Sequence, residues 1–144
     1  MNEDAPIETA DAIEVAVFRE ALRAFLRMSE LIAQANDLTP QRHLLLLMIK
    51  GAPDGSERAT VTQLASRLRL AQTTVTDLVS RAEDVGLIER ERSATDARVS
   101  LLRLTAEGER RLARSIRAHA SERERLREML QQMSTTPPSE PNGG

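Results

Sequence analysis

The chain has 144 residues, is 40% hydrophobic, carries a net charge of −2, and contains no cysteine; Phe18 and Phe25 are its only Phe, Tyr or Trp residues. These numbers allow one domain with an aliphatic core, alone or with appended helices, and exclude disulfides, thiolate metal sites and thiol redox sensing. The charge is uneven: residues 1–20 hold six acids against Arg19, whereas 21–139 hold 19 bases against 15 acids.

The N-terminus, "MNEDAPIETADA", lacks the basic and apolar regions of a signal peptide. Residues 1–10 and 134–144 have the composition of disordered ends. A first helix is predicted over 11–36, where Ile13, Val17, Leu22, Phe25, Leu26 and Ile32 recur at three- and four-residue steps. Val15, Phe18 and Ala21 widen that stripe beyond what one small core needs. Thr39 as N-cap and Pro40 at the first helical position open a second helix, which ends at Gly51. Its "LLLLMI" at 44–49 is the longest strongly apolar run, far short of the ~20 residues of a membrane span. A soluble cytoplasmic protein is expected.

"GAPDGSER" at 51–58 reads as a turn-rich connection. Thr60 and Gln63 form a capping box ahead of a short helix at 61–68. "RLAQ" makes a tight turn, and a further helix at 72–85 carries the single apolar stripe Val75, Leu78, Val79, Ala82 and Val85, closed by Gly86. Two short helices joined this way are a helix-turn-helix. "LIERER" and "VSLLRL" (99–104) alternate as the strands of a hairpin, which puts Glu89 and Glu91 on one face and Arg90 and Arg92 on the other. Thr105 caps a last long helix over 106–133, with Gly108 near its start.

Opposite its apolar stripe, helix 72–85 presents Gln72, Thr73, Thr76, Asp77 and Ser80, with Thr74 and Arg81 at the flanks. Short hydroxyl and amide groups donate to or accept from phosphates and base edges, and they let a helix enter the major groove. The hairpin, placed directly after a helix-turn-helix, reads as a wing. Arg98 at its turn suits a minor groove, where A·T tracts concentrate negative potential. Arg92 suits flanking phosphates, and Asp96 is expected to brace the turn by pairing with an arginine. Such helices read with their N-terminal residues, so Glu83 and Asp84 at the far end are tolerable.

The pieces "QLASRL", "TTVTDLVSRAEDVGLIER", "DAR" at 96–98 and "LTAEG" at 104–108 together resemble the MarR family of winged helix-turn-helix regulators. The resemblance spans about 38–112. It implies a mainly α fold with a small β-hairpin, in one domain over 11–133: a winged helix-turn-helix lobe at 39–105, and dimerisation helices at 11–36 and 106–133. It further implies a homodimer on pseudo-palindromic double-stranded DNA, acting as a repressor. The residues themselves point away from an enzyme, a cofactor or a metal: there is no cysteine, no Gly-rich phosphate loop, and His43 and His119 are the only histidines. An anionic or aromatic effector would bind between dimerisation helices and lobe, with Arg19, Phe25, Arg42 and His43 as candidate lining. Two departures stand out: the chain ends before the further C-terminal helix that relatives often carry, and Ala71 occupies the N-cap where Ser or Asp is usual. A winged helix used only for protein–protein assembly is the alternative.

Overall fold

The structure, a computed structural model, describes residues 2–135. Its elements are α1 (Thr9–Ala35), α2 (Pro40–Lys50), α3 (Val61–Leu68), α4 (Gln72–Asp84), β1 (Ile88–Arg92), β2 (Ser100–Leu104), α5 (Ala106–Ala118) and α6 (Ala120–Thr135). The fold is mainly helical with one antiparallel hairpin, as expected. It divides into two compact units, one comprising Glu30–Ala118, the other the residues up to Ser29 together with those from His119 onward.

In the Glu30–Ala118 unit, local signals set the helix starts. The Thr39 hydroxyl accepts from the Arg42 backbone N–H at 3.1 Å, which satisfies one of the N–H groups that α2 leaves without a partner. The capping box of α3 is complete: Gln63 N–H donates to the Thr60 hydroxyl at 3.1 Å, and Thr60 N–H donates to the Gln63 side chain at 2.9 Å. Arg69 then turns the chain in the left-handed region, at φ 55°. Ala71 at the start of α4 makes no side-chain cap, as its methyl dictates. Ala71→Ser is expected to stabilise the fold by about 1 kcal/mol, read as a rise in thermal midpoint.

The core of this unit joins Leu45, Leu46 and Ile49 of α2 to Leu64, Val75, Val79, Leu87, Leu102 and Leu112. Each fully buried leucine adds about 2 kcal/mol. In the hairpin Ile88 pairs with Leu104 and Arg90 with Leu102; Ile88, Leu102 and Leu104 are buried. The connection before α3, read from sequence as turns alone, contributes a one-residue bridge: Ala59 and Leu102 exchange backbone hydrogen bonds at 3.2 and 2.8 Å. Thr105 fastens the base of the hairpin, donating its hydroxyl to Gly86 O at 2.6 Å and accepting from Gly108 N–H at 3.1 Å. Lys50 bridges Glu57 and Glu109, at 3.0 and 2.9 Å.

In the other unit, the helix of α1 starts at Thr9, so Thr9 and Ala10 are helical rather than part of a disordered end. Ala12 N–H donates to Glu8 O at 3.1 Å, and acidic Glu8 and Asp11 suit the positive end of a helix. Ile13, Val15, Val17 and Leu26 are each more than half exposed. The long helix expected over 106–133 is two helices, interrupted at His119. The break carries neither Pro nor Gly, so no residue type marks it in the sequence, and the continuous reading runs α5 and α6 together. Ser134 and Thr135 belong to α6, and the rest of the expected tail, 136–144, lies outside the described residues.

His119 is 5% exposed and stacks on Phe25, their ring centroids 4.4 Å apart. Its Nε2 is buried with no hydrogen-bond partner. Burial first, then the charge of Arg123, holds its imidazole below the ordinary 6.5, against smaller opposing effects of the Phe25 carbonyl and Glu122. The unfolded chain takes up a proton around pH 6.5 that the folded ring refuses. Stability from this group is therefore present above that pH and is lost as the pH falls below it. Urea unfolding at pH 7.5 and 5.5 should show a loss in the natural chain that His119→Leu reduces.

Candidate nucleic-acid interface

Helix α4 buries Val75, Leu78, Val79 and Ala82. At 100° per residue, the opposite side falls to Thr73, Asp77 and Ser80, with Thr76 beside them. Gln72, Thr73, Thr74, Thr76, Ser80 and Arg81 are all exposed. Among the described residues, no ion pair or side-chain hydrogen bond engages Thr73, Thr76 or Ser80. Arg81 is partnered by Asp77, its Nε 3.1 Å from the carboxylate. The sequence therefore sets out a row of short polar groups held by a helix whose other side is locked into the core.

The hairpin divides its arginines into two classes. Arg90 Nε donates to Glu83 at 2.8 Å, and Arg103 lies 2.6 Å from Glu89, its cross-strand neighbour. Arg58, from the connection before α3, binds Glu91 at 2.6 Å. These guanidinium groups are half neutralised by carboxylates before any partner arrives. Arg92 and Arg98 are exposed, and neither forms an ion pair among the described residues. The basic strand face expected from alternation thus reduces to Arg92, because Arg90 reaches across to α4.

Asp96 braces the turn, but differently from the expected ion pair. Its carboxylate accepts the Arg98 backbone N–H at 3.0 Å, and its carbonyl accepts Val99 N–H at 3.0 Å. An aspartate bonding the backbone two residues on is a standard turn former. The consequence is functional: the wing tip is held while the Arg98 guanidinium stays uncommitted. The Ser93 hydroxyl, within 3.0 Å of the Thr95 hydroxyl, accepts Thr95 and Asp96 N–H at 3.3 and 3.4 Å and adds to the brace. The sequence pattern did not single out Ser93, nor pair Glu83 with Arg90 or Glu89 with Arg103; those two pairs join different elements, out of reach of a local pattern.

The four residues expected to line an effector pocket fall in both units. Arg19 is exposed on α1. Phe25 is half-buried against His119 and lines a crevice of about 220 Å³ with Ala21, Ala24, Leu126 and Met129. In the Glu30–Ala118 unit, Arg42 and His43 are half-buried in the first turn of α2, where the Arg42 backbone serves the Thr39 cap. A larger groove of about 450 Å³ in that unit, bordered by Pro53, Arg58, Thr62 and Arg67, contains none of them. Among the described residues, no group of three or more His, Cys, Asp or Glu is placed to hold a metal ion. Within the same residues, no helix is long and apolar enough to cross a membrane.

Residues 36–99 match the profile of the MarR family. No curated protein matches the sequence. Among solved structures, a MarR family protein from Bacillus stearothermophilus is 24% identical, with a TM-score of 0.71 over 91% of this chain and 100% of that one. AbsC, a MarR family transcriptional regulator from Streptomyces coelicolor, is 17% identical, with a TM-score of 0.69 over 93% of this chain and 86% of that one. A mutant MarR from E. coli complexed with operator DNA is 16% identical, with a TM-score of 0.63 over 92% of this chain and 100% of that one. The profile match falls on the helix-turn-helix and most of the wing derived above, so residues 36–99 are similar to the MarR family, and the chain shares the winged-helix fold of these solved structures.

Proposed function

We propose that the protein is a sequence-specific regulator of transcription that binds a pseudo-palindromic operator in double-stranded DNA as a homodimer and represses from it in the cytoplasm. The observation that carries this reading is the pairing of an unengaged polar face on α4 with a wing tip that holds Arg98 free. The solved E. coli relative complexed with operator DNA supports the same use of this fold. Helix α4 enters the major groove with Gln72, Thr73, Thr74, Thr76, Ser80 and Arg81. Arg92 meets flanking phosphates, and Arg98, on the Asp96 brace, enters the minor groove. Two copies bring two such surfaces to one site, which offsets the modest charge of each. The exposed Ile13, Val15, Val17 and Leu26 of α1 supply apolar area for that dimer, α6 joins them, and a small anionic or aromatic effector releases the DNA.

The test is discrimination. Thr76→Ala and Ser80→Ala should each lower the ratio of operator to random-DNA affinity by roughly 1 kcal/mol or more, because groove contacts to base edges are lost. Measured by fluorescence anisotropy on both duplexes, equal losses on the two would assign these hydroxyls to phosphates and remove them from base reading.

A further inference from the structure

Asp77 has no role in the reading above, yet it stands nearer the middle of the outer face of α4 than Thr76 does. The buried Val75, Leu78, Val79 and Ala82 fix that orientation. Its side chain is 60% exposed, and one carboxylate oxygen lies 3.1 Å from Arg81 Nε, one turn on. An exposed ion pair of this kind adds little to folding, so stability does not explain a carboxylate here. In a DNA groove it is repelled by the phosphates and by most base-edge atoms, since guanine N7 and O6, adenine N7 and thymine O4 are all acceptors.

The remaining edges decide the matter. The major groove offers a carboxylate two donors, the amino groups of cytosine and adenine. Adenine sets its amino group beside the N7 acceptor, which a carboxylate cannot satisfy. A C·G pair presents the cytosine amino donor followed by the guanine acceptors O6 and N7. The Asp77–Arg81 pair presents the complement: a carboxylate acceptor followed by guanidinium donors. With Nε turned to Asp77, the two terminal amino groups of Arg81 remain for guanine.

Resting on the DNA-binding function proposed above, we infer that Asp77 and Arg81 act as one unit that reads a C·G base pair in each operator half-site. Asp77 accepts from cytosine N4, Arg81 donates to guanine O6 and N7, and the contact between them sets the register. Asp77 is then a specificity residue that contributes discrimination while weakening general attraction to DNA.

Selection of bound sequences from a randomised duplex pool by the full chain tests this. The natural chain should enrich sites with one invariant C·G pair per half-site. Asp77→Asn keeps the shape and presents an amide that pairs with adenine N6 and N7. At that position alone the preference should move to A·T, with a change in relative affinity of roughly ten-fold. Asp77→Ala should weaken the preference there to what Arg81 alone reads from guanine, and the double substitution Asp77→Ala with Arg81→Ala should leave the four bases nearly equivalent. These substitutions lie on the exposed face of α4, so an unchanged circular dichroism spectrum and thermal midpoint accompany the expected result. If both single variants enrich the same motif as strongly as the natural chain, the inference is overturned and the DNA-binding function stands. A natural chain that enriches no sequence overturns the function on which the inference rests.

Discussion

Gly108→Ala is expected to destabilise the protein by about 3 kcal/mol, lowering its thermal midpoint by roughly 10 °C. In an exposed helix interior the same substitution stabilises by about 1 kcal/mol, because glycine is the poorer helix former. The sign reverses here because a Cβ at Gly108 would stand 2.1 Å from the Leu87 carbonyl oxygen and 3.1 Å from its carbonyl carbon. Both obstacles are backbone, so no rotamer change relieves them. The Leu87 carbonyl also accepts Thr105 N–H at 3.0 Å, which ties the same point to the start of α5. Relief requires α5 to lift from the base of the hairpin, which loosens the Thr105 clamp on Gly86 and the seat of the wing. Differential scanning calorimetry should show the loss in midpoint, and DNA affinity should fall with it. A variant as stable as the natural chain would contradict this packing.

Arg98→Ala should weaken operator binding by roughly 2 kcal/mol, about thirty-fold, and reduce the slope of log affinity against log salt by about two per dimer. The force of this prediction lies in its contrast with neighbouring arginines. Arg90 and Arg103 already hold Glu83 and Glu89 at 2.8 and 2.6 Å, so binding DNA would require each to exchange one carboxylate partner for a phosphate. Arg90→Ala and Arg103→Ala should therefore shift affinity much less. Equal losses at all three positions would mean that the wing acts as diffuse positive charge. An Asp96→Ala chain should sit between these extremes, since it retains the Arg98 guanidinium but loses the bond that holds its backbone.

The helix-turn-helix was legible in the sequence because its determinants are local. Thr39 with Pro40, and Thr60 with Gln63, each specify a helix start within four residues, and the structure completes both caps. The hairpin was legible by alternation. Three other features depend on contacts between remote residues. The Ala59 bridge is one residue long, too short for any pattern to mark. The interruption at His119 has no helix breaker; it coincides with a buried imidazole stacked on Phe25, 94 positions earlier in the chain. The pairing of Arg58 with Glu91 and of Arg90 with Glu83 decides which guanidinium groups remain free, and strand alternation alone could not show that. Asp96 was recognised as a brace from its position, but its partner proved to be a backbone N–H two residues on. Asp77 was visible on the outer face from the start; its proximity to Arg81 is what gives it chemistry.

In the proposed function, α4 and the wing read duplex DNA as a symmetric pair. Recovery and sequencing of genomic fragments bound by the purified chain at physiological salt tests it most directly. A dimer that reads DNA in this way should yield a shared inverted repeat whose half-sites are centred about one helical turn, about 10 base pairs, apart. Fragments with no common sequence, recovered in proportion to their length, would contradict it.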